Sequence, residues 1–145
     1  MDTNKLTAED RLDIIQLTAT FDNALDNEDI DKYMTVFAEE AELSGFWGSN
    51  KGKDSLRAQF PQLLDSFARG RRHLLTNHEI EGDGKEAKMY CYLTVFNRET
   101  NEMAGSGTFS DMVRKIDGKW LFEKRELAAD KNVMKLMDEM NGDSA

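Results

Sequence analysis

The chain has 145 residues, 39% of them hydrophobic, with a formal net charge of −9 and one cysteine. That length and apolar share allow a single domain over 1–145 whose core needs neither disulfide nor metal. The acidic balance argues against nucleic acid as a partner, because affinity for a phosphate backbone comes from basic groups that displace counterions. No run of about 18 apolar residues marks a membrane span, and no basic-then-apolar leader opens the chain, so a soluble cytoplasmic protein is expected.

Thr7 with Asp10 three residues on has the form of a capping box with a shortened acid. Leu12, Ile15, Phe21 and Leu25 recur behind it at helical intervals and predict a first helix ending near Asn27. Asp29 and Asp31 are fresh capping acids, and Ile30, Met34 and Phe37 fall on one stripe of a short second helix. Residues 41–46 read as a strand, after which Gly45, Gly48 and Gly52 interrupt regular structure. Over 55–68, Leu56, Phe60, Leu63, Leu64 and Phe67 are spaced for a third helix, in which Pro61 removes a backbone donor and predicts a bend.

From Arg71 the period falls to two, giving strands over 71–80, 86–97, 103–116 and 119–128. Short turns join them: GDG at 82–84, RETNE at 98–102 and the Asp117-Gly118 pair, which predict antiparallel pairing. Val133, Met134, Leu136, Met137 and Met140 share a stripe of a final short helix. Helices first and strands after define an α+β domain with helices on one sheet face. In the strand over 86–97, Met89, Cys91, Leu93 and Val95 alternate with Tyr90, Tyr92, Thr94 and Phe96, so both faces are apolar. Such a strand is expected to be covered on both sides, by a cavity on one and by a second subunit or a helix on the other.

This order of elements resembles the nuclear transport factor 2-like superfamily, in its SnoaL-like branch. Four strings carry the likeness: ALDNEDIDKYMTVFAEEAEL, GKDSLRAQF, RHLLTNHEIEGDGKEAKMYCYLTV and GTFSDMVRKIDGKWLFEKREL. The resemblance spans nearly the whole chain. It implies a cone-shaped domain whose curved antiparallel or mixed sheet wraps around a pocket, covered by three helices from the N-terminal half. It also implies a homodimer paired through the outer sheet face, a small hydrophobic ligand, and an activity of lyase, isomerase or cyclase type.

Scytalone dehydratase and hexachlorocyclohexane dehydrochlorinase, two members of that superfamily, use an aspartate at the end of the first helix and a histidine on the strand after the third. Asp26 and His73 match those positions. The implied roles are a base, His73, and a carboxylate that orients it and stabilises the imidazolium. Asp26 equally suits helix termination, and His73 equally suits a pocket wall. Alternation places His73 with Leu75 and Asn77 on one face and His78 with Leu74 and Thr76 on the other, so one histidine is expected to face the cavity.

Departures from known members narrow the substrate. Cys91 falls where scytalone dehydratase has its second histidine, and Gly45 near its pocket tyrosine, so a different substrate is implied. Phe21 and Gly45 stand where ketosteroid isomerases have a tyrosine and an aspartate. The candidate lining is Phe21, Asp22, Trp47, Phe60, Cys91, Phe109 and Asp111. Asp111 shares a face with Gly107, Phe109 and Val113, and reads either as a proton-transferring acid or as an ion-pair partner of Arg125 or Arg114. Asp22 lies one helical turn before Asp26, where two like charges push one pKa upward. Phosphate-binding loops, nucleophile elbows and metal-ligand spacings do not occur in the sequence, so neither cofactor nor metal is expected. Two rival readings of the same fold are a non-catalytic ligand-binding or scaffold module, and an accessory subunit like those of ring-hydroxylating dioxygenases.

Overall fold

The computed structural model of the chain describes residues 4–131, so the amphipathic segment from Val133 to Met140 lies outside the described residues. Thr7 caps helix α1 (Ala8–Asp26): its hydroxyl accepts from the Asp10 N–H at 3.0 Å, and the Asp10 carboxylate accepts from the Thr7 N–H at 3.1 Å. This reciprocal box satisfies donors that a helix start otherwise leaves unpaired. Phe21 and Leu25 of the predicted α1 stripe are buried, but Leu12 is 68% exposed, and Ile14 and Leu17 face the interior in the first turns instead. Ile15 belongs to the outer side as well.

Helix α2 (Ile30–Met34) is capped by Asp29, whose carboxylate accepts from the Lys32 N–H at 3.1 Å. Phe37, expected on the α2 stripe, instead opens strand β1 (Phe37–Gly45). A turn at Phe46 and Trp47 leads into β2 (Gly48–Lys51), which completes a hairpin where the glycine spacing predicted only irregular chain. Helix α3 (Lys53–Leu63) carries Pro61 within its regular turns, and the irregularity follows as a π-turn over Leu64–Ala68. Strands β3 (Arg71–Gly82), β4 (Glu86–Asn97), β5 (Met103–Ile116) and β6 (Lys119–Ala129) pair antiparallel in succession. β6 then returns alongside β1 in parallel, so the sheet is mixed, in the order β2-β1-β6-β5-β4-β3.

α1 packs across β3 and β6, and α3 packs on β1, so the helices cover the concave face of a curled sheet. Phe21 sits at their meeting point, with the rings of Tyr33, Phe37, Phe122 and Phe109 around it at 5.1 to 6.2 Å, mostly edge to face.

Two β-bulges decide which side chains point inward. In β3, Asn77 adopts a left-handed conformation (φ +59°) and the register with β4 slips between Thr76 and Glu79. An extra residue inverts the alternation, so His73 and Leu75 lie inward before the bulge and His78 and Ile80 after it. His73 is the histidine that lines the cavity, and His78 turns inward elsewhere, its Nε2 lying 3.2 Å from the Thr18 hydroxyl on α1. In β6, Phe122 pairs with Val113 and Lys124 with Met112, leaving Glu123 as the extra residue. Trp120 and Phe122 are buried before that bulge and Arg125 after it. The outer sheet face exposes Leu74, Tyr90 and Tyr92, the two tyrosine rings meeting edge to face at 6.0 Å.

Candidate active site

Asp26 closes α1, and His73 lies near the start of β3, the edge strand that α1 crosses. The Asp26 carboxylate reaches His73 twice: Oδ1 is 2.7 Å from the ring Nδ1, and Oδ2 accepts the backbone N–H at 3.2 Å. The Arg98 guanidinium donates to the Asp26 carbonyl at 3.1 Å, which ties the helix end to the loop after β4. Both side chains of the pair are nearly buried, at 9% and 11% exposure. A carboxylate on Nδ1 holds the neutral imidazole in the tautomer protonated there, leaving the Nε2 lone pair as the free acceptor.

His73 lines a cavity of about 100 Å³, walled mainly by apolar side chains including Phe21, Leu25, Leu93, Val95, Phe109 and Leu127. Phe46, Trp47 and Phe67 form an aromatic group in the same wall, with ring separations of 4.8 to 6.2 Å. Gly45 is what lets the Trp47 ring lie where it does, since a Cβ at that position would stand 2.5 Å from the indole. The Trp47 indole N–H is buried without a hydrogen-bond partner among the described residues.

Beneath the cavity lies a cluster of charges. Arg125 and Asp111 are both fully buried and paired, Nε donating to Oδ1 at 2.9 Å and Nη2 to Oδ2 at 3.4 Å. The guanidinium is stacked among the rings of Phe109 at 3.7 Å and Phe21 and Phe122 at 4.5 Å, a desolvated setting in which cation–π attraction is strong. Burial pushes the Asp111 carboxyl up and Arg125 pulls it back down. As guanidinium keeps its charge throughout the accessible range, Asp111 is its counterion. Burial, followed by the Arg125 charge, also holds His78 below its ordinary value.

Asp22, on α1 one turn before Asp26, lines the cavity and is 4% exposed. Burial raises its carboxyl from 3.8 to about 6; Arg125 and His73 oppose that rise, while Asp26 and Asp111 add to it. Its Oδ1 has no hydrogen-bond partner among the described residues.

Of the residues singled out from the sequence, Phe21, Asp22, Trp47 and Phe109 share the cavity wall with His73, and Asp26 stands behind the histidine. The remaining three lie elsewhere. Phe60 packs on Tyr33 at 4.7 Å beneath α3, and Asp111 is engaged with Arg125. Cys91 is buried next to Leu93, Val95 and Phe109, its thiol pushed up to about 12 by burial. Lining residues that the sequence did not single out include Phe46, Phe67, Leu93 and Ser106. Phe67 continues the helical spacing of Phe60 and Leu63, which reads as core, and its position on the π-turn leaves it half-buried at the cavity instead.

A curled mixed sheet closed by helices over an apolar cavity places the chain among α+β domains of the nuclear transport factor 2-like, or cystatin-like, fold. The family model described as a SnoaL-like domain matches residues 6–126, and the chain belongs to that family. A protein of unknown function with a cystatin-like fold from Nostoc punctiforme is 47% identical, with a TM-score of 0.87 over 89% of this chain and 97% of that one. A variant of Rv3472, a protein of unknown function from Mycobacterium tuberculosis, is 26% identical, with a TM-score of 0.74 over 88% of this chain and 75% of that one. The fold is also shared with LinA, at 20% identity and a TM-score of 0.75 over 84% of this chain and 86% of that one. No curated protein matches the chain in sequence.

Proposed function

We propose that this chain is a small-molecule enzyme that abstracts a proton from carbon, a lyase of dehydratase type or an isomerase or cyclase, acting on a small hydrophobic or cyclic substrate. The observation that carries the proposal is the 2.7 Å contact between Asp26 and His73 Nδ1 at the wall of an apolar cavity. With Nδ1 engaged, Nε2 takes the proton, and the Asp26 carboxylate stabilises the imidazolium that forms. The step needs no metal or cofactor, because a base and its counter-charge suffice to move the proton. A cavity that excludes water strengthens the attraction between those charges.

The experiment is turnover of a panel of small cyclic alcohols, ketones and halides, followed by NMR in deuterated buffer so that both elimination and proton exchange at carbon are seen. His73→Ala and Asp26→Asn are each expected to fold as the wild type does by circular dichroism and to lose at least about 100-fold in rate. Equal activity in wild type and both variants removes the pair from the reaction. Ligand binding without turnover, unchanged in His73→Ala, favours a binding module instead.

A homodimer through the outer sheet face is part of this proposal, supported by the exposure of Leu74, Tyr90 and Tyr92 at 40%, 41% and 46%. Sedimentation of the double variant Tyr90→Lys, Tyr92→Lys is expected to show monomer where the wild type shows dimer. A monomeric wild type refutes the pairing.

A further inference from the structure

The charges around the cavity do not balance in pairs, and the imbalance falls on Asp22. Arg125 is matched by Asp111, and Asp26 is committed to His73 through both carboxylate oxygens. Asp22 is left as a third carboxyl in the same buried cluster, without an ion-pair partner among the described residues. An unpaired carboxylate is strongly disfavoured in such surroundings, and the group escapes that cost by holding its proton. A neutral carboxyl then carries an O–H donor that has no acceptor among the described residues, on a residue in the wall of the cavity that His73 also lines.

We infer that Asp22 stands in this cavity as a neutral carboxylic acid whose proton is offered to a ligand oxygen, so that the site selects a small ring bearing a carbonyl or hydroxyl group. The inference rests on the reading of the cavity as a substrate site and names one feature of what enters it. A cavity of about 100 Å³ is on the scale of one small ring. The other charged or titratable neighbours are His73 on β3, Asp26 on α1, Asp111 on β5, the Cys91 thiol on β4, and Arg125 on β6, whose Nε and Nη2 go to Asp111 while Nη1 is buried without a partner among the described residues. Arg125 and His73 favour ionisation of Asp22, and burial outweighs them, with a midpoint of about 6. The donor is therefore present in mildly acidic solution and lost in alkaline solution, while an ionised Asp22 repels a ligand oxygen.

The test uses two rings of nearly equal shape, cyclopentanone and methylenecyclopentane, titrated by NMR against the whole chain at about pH 5 and pH 8. Wild type is expected to bind the ketone at least about tenfold more weakly at the higher pH, as the neutral fraction of Asp22 falls. The hydrocarbon, with no acceptor, is expected to bind alike at both. Asp22→Asn keeps a donor at every pH and is expected to bind the ketone without pH dependence. Asp22→Leu is expected to lose the preference for ketone over hydrocarbon.

Binding is read without turnover, so the outcome stands even if no turnover is ever found. A second readout needs no ligand: the carbonyl stretch of a protonated carboxyl, seen by infrared difference at about pH 5, is expected to vanish in Asp22→Asn. Absence of ketone binding at the lower pH, wild-type affinity that ignores pH, or the same pH dependence in Asp22→Asn each overturns the inference.

Discussion

Replacing Asp22 by Asn removes the proton equilibrium at that site while keeping its shape, and its effect on stability is expected to depend steeply on pH. The folded carboxyl titrates at about 6 against 3.8 for the ordinary group, the shift coming first from burial. Each pKa unit corresponds to about 1.36 kcal/mol, so the full difference is about 3 kcal/mol. Below roughly pH 3.8 both folded and unfolded carboxyls are protonated and the group is neutral toward folding. As pH rises the unfolded chain ionises first and gains, until above the folded midpoint the wild type carries the whole cost.

The Asn variant escapes that cost. Its advantage over wild type is expected to be about 3 kcal/mol larger at pH 8 than in the acid limit, and about half that excess remains at pH 5. For a domain of this size the excess at pH 8 amounts to roughly 10 °C in melting temperature. Urea denaturation of both proteins at the two pH values measures it, and any constant difference between Asn and Asp cancels. Denaturation curves offset by the same free energy at pH 5 and pH 8 refute the claim that this carboxyl is neutral in the fold.

Asp111→Ala strands the fully buried Arg125 charge and is expected to cost about 3 to 5 kcal/mol in chemical denaturation, whereas Asp111→Leu combined with Arg125→Met recovers most of that loss. If the single variant costs under about 1 kcal/mol, the pair does not hold this part of the core. Gly45→Ala places a methyl group where the Trp47 ring lies, so tryptophan fluorescence is expected to report a more solvated indole while the fold persists. An unchanged spectrum refutes that packing. A Nδ1-protonated, Nε2-free imidazole at His73 is expected in 15N NMR of the neutral protein, and Asp26→Asn is expected to disturb that tautomer.

Much of the fold was legible because its signals are local. The Thr7 and Asp10 box, the Asp29 cap and the period-two runs from Arg71 each depend on residues within a few positions of one another, and the structure places an element at each. What escaped depends on slips of register. The bulge at Asn77 inverts the inward set of β3 and brings His78 inside, and the extra residue Glu123 does the same for Arg125, which simple alternation from Trp120 puts outside. The likeness to known members pointed to Asp26 and His73, and their contact spans 47 positions of chain that no local pattern connects. Ring packing such as Trp47 over Gly45 arises only once a turn has folded back on itself, and spacing alone does not encode it.

The interior place of Cys91 has a practical side. A sulfur without solvent contact, and with its ionisation pushed up to about 12, presents almost no thiolate to an alkylating reagent at neutral pH. The chain carries no other cysteine. A single exposed replacement such as Glu99→Cys, in the turn after β4, therefore accepts a maleimide dye or spin label at one defined point without the native residue being removed first.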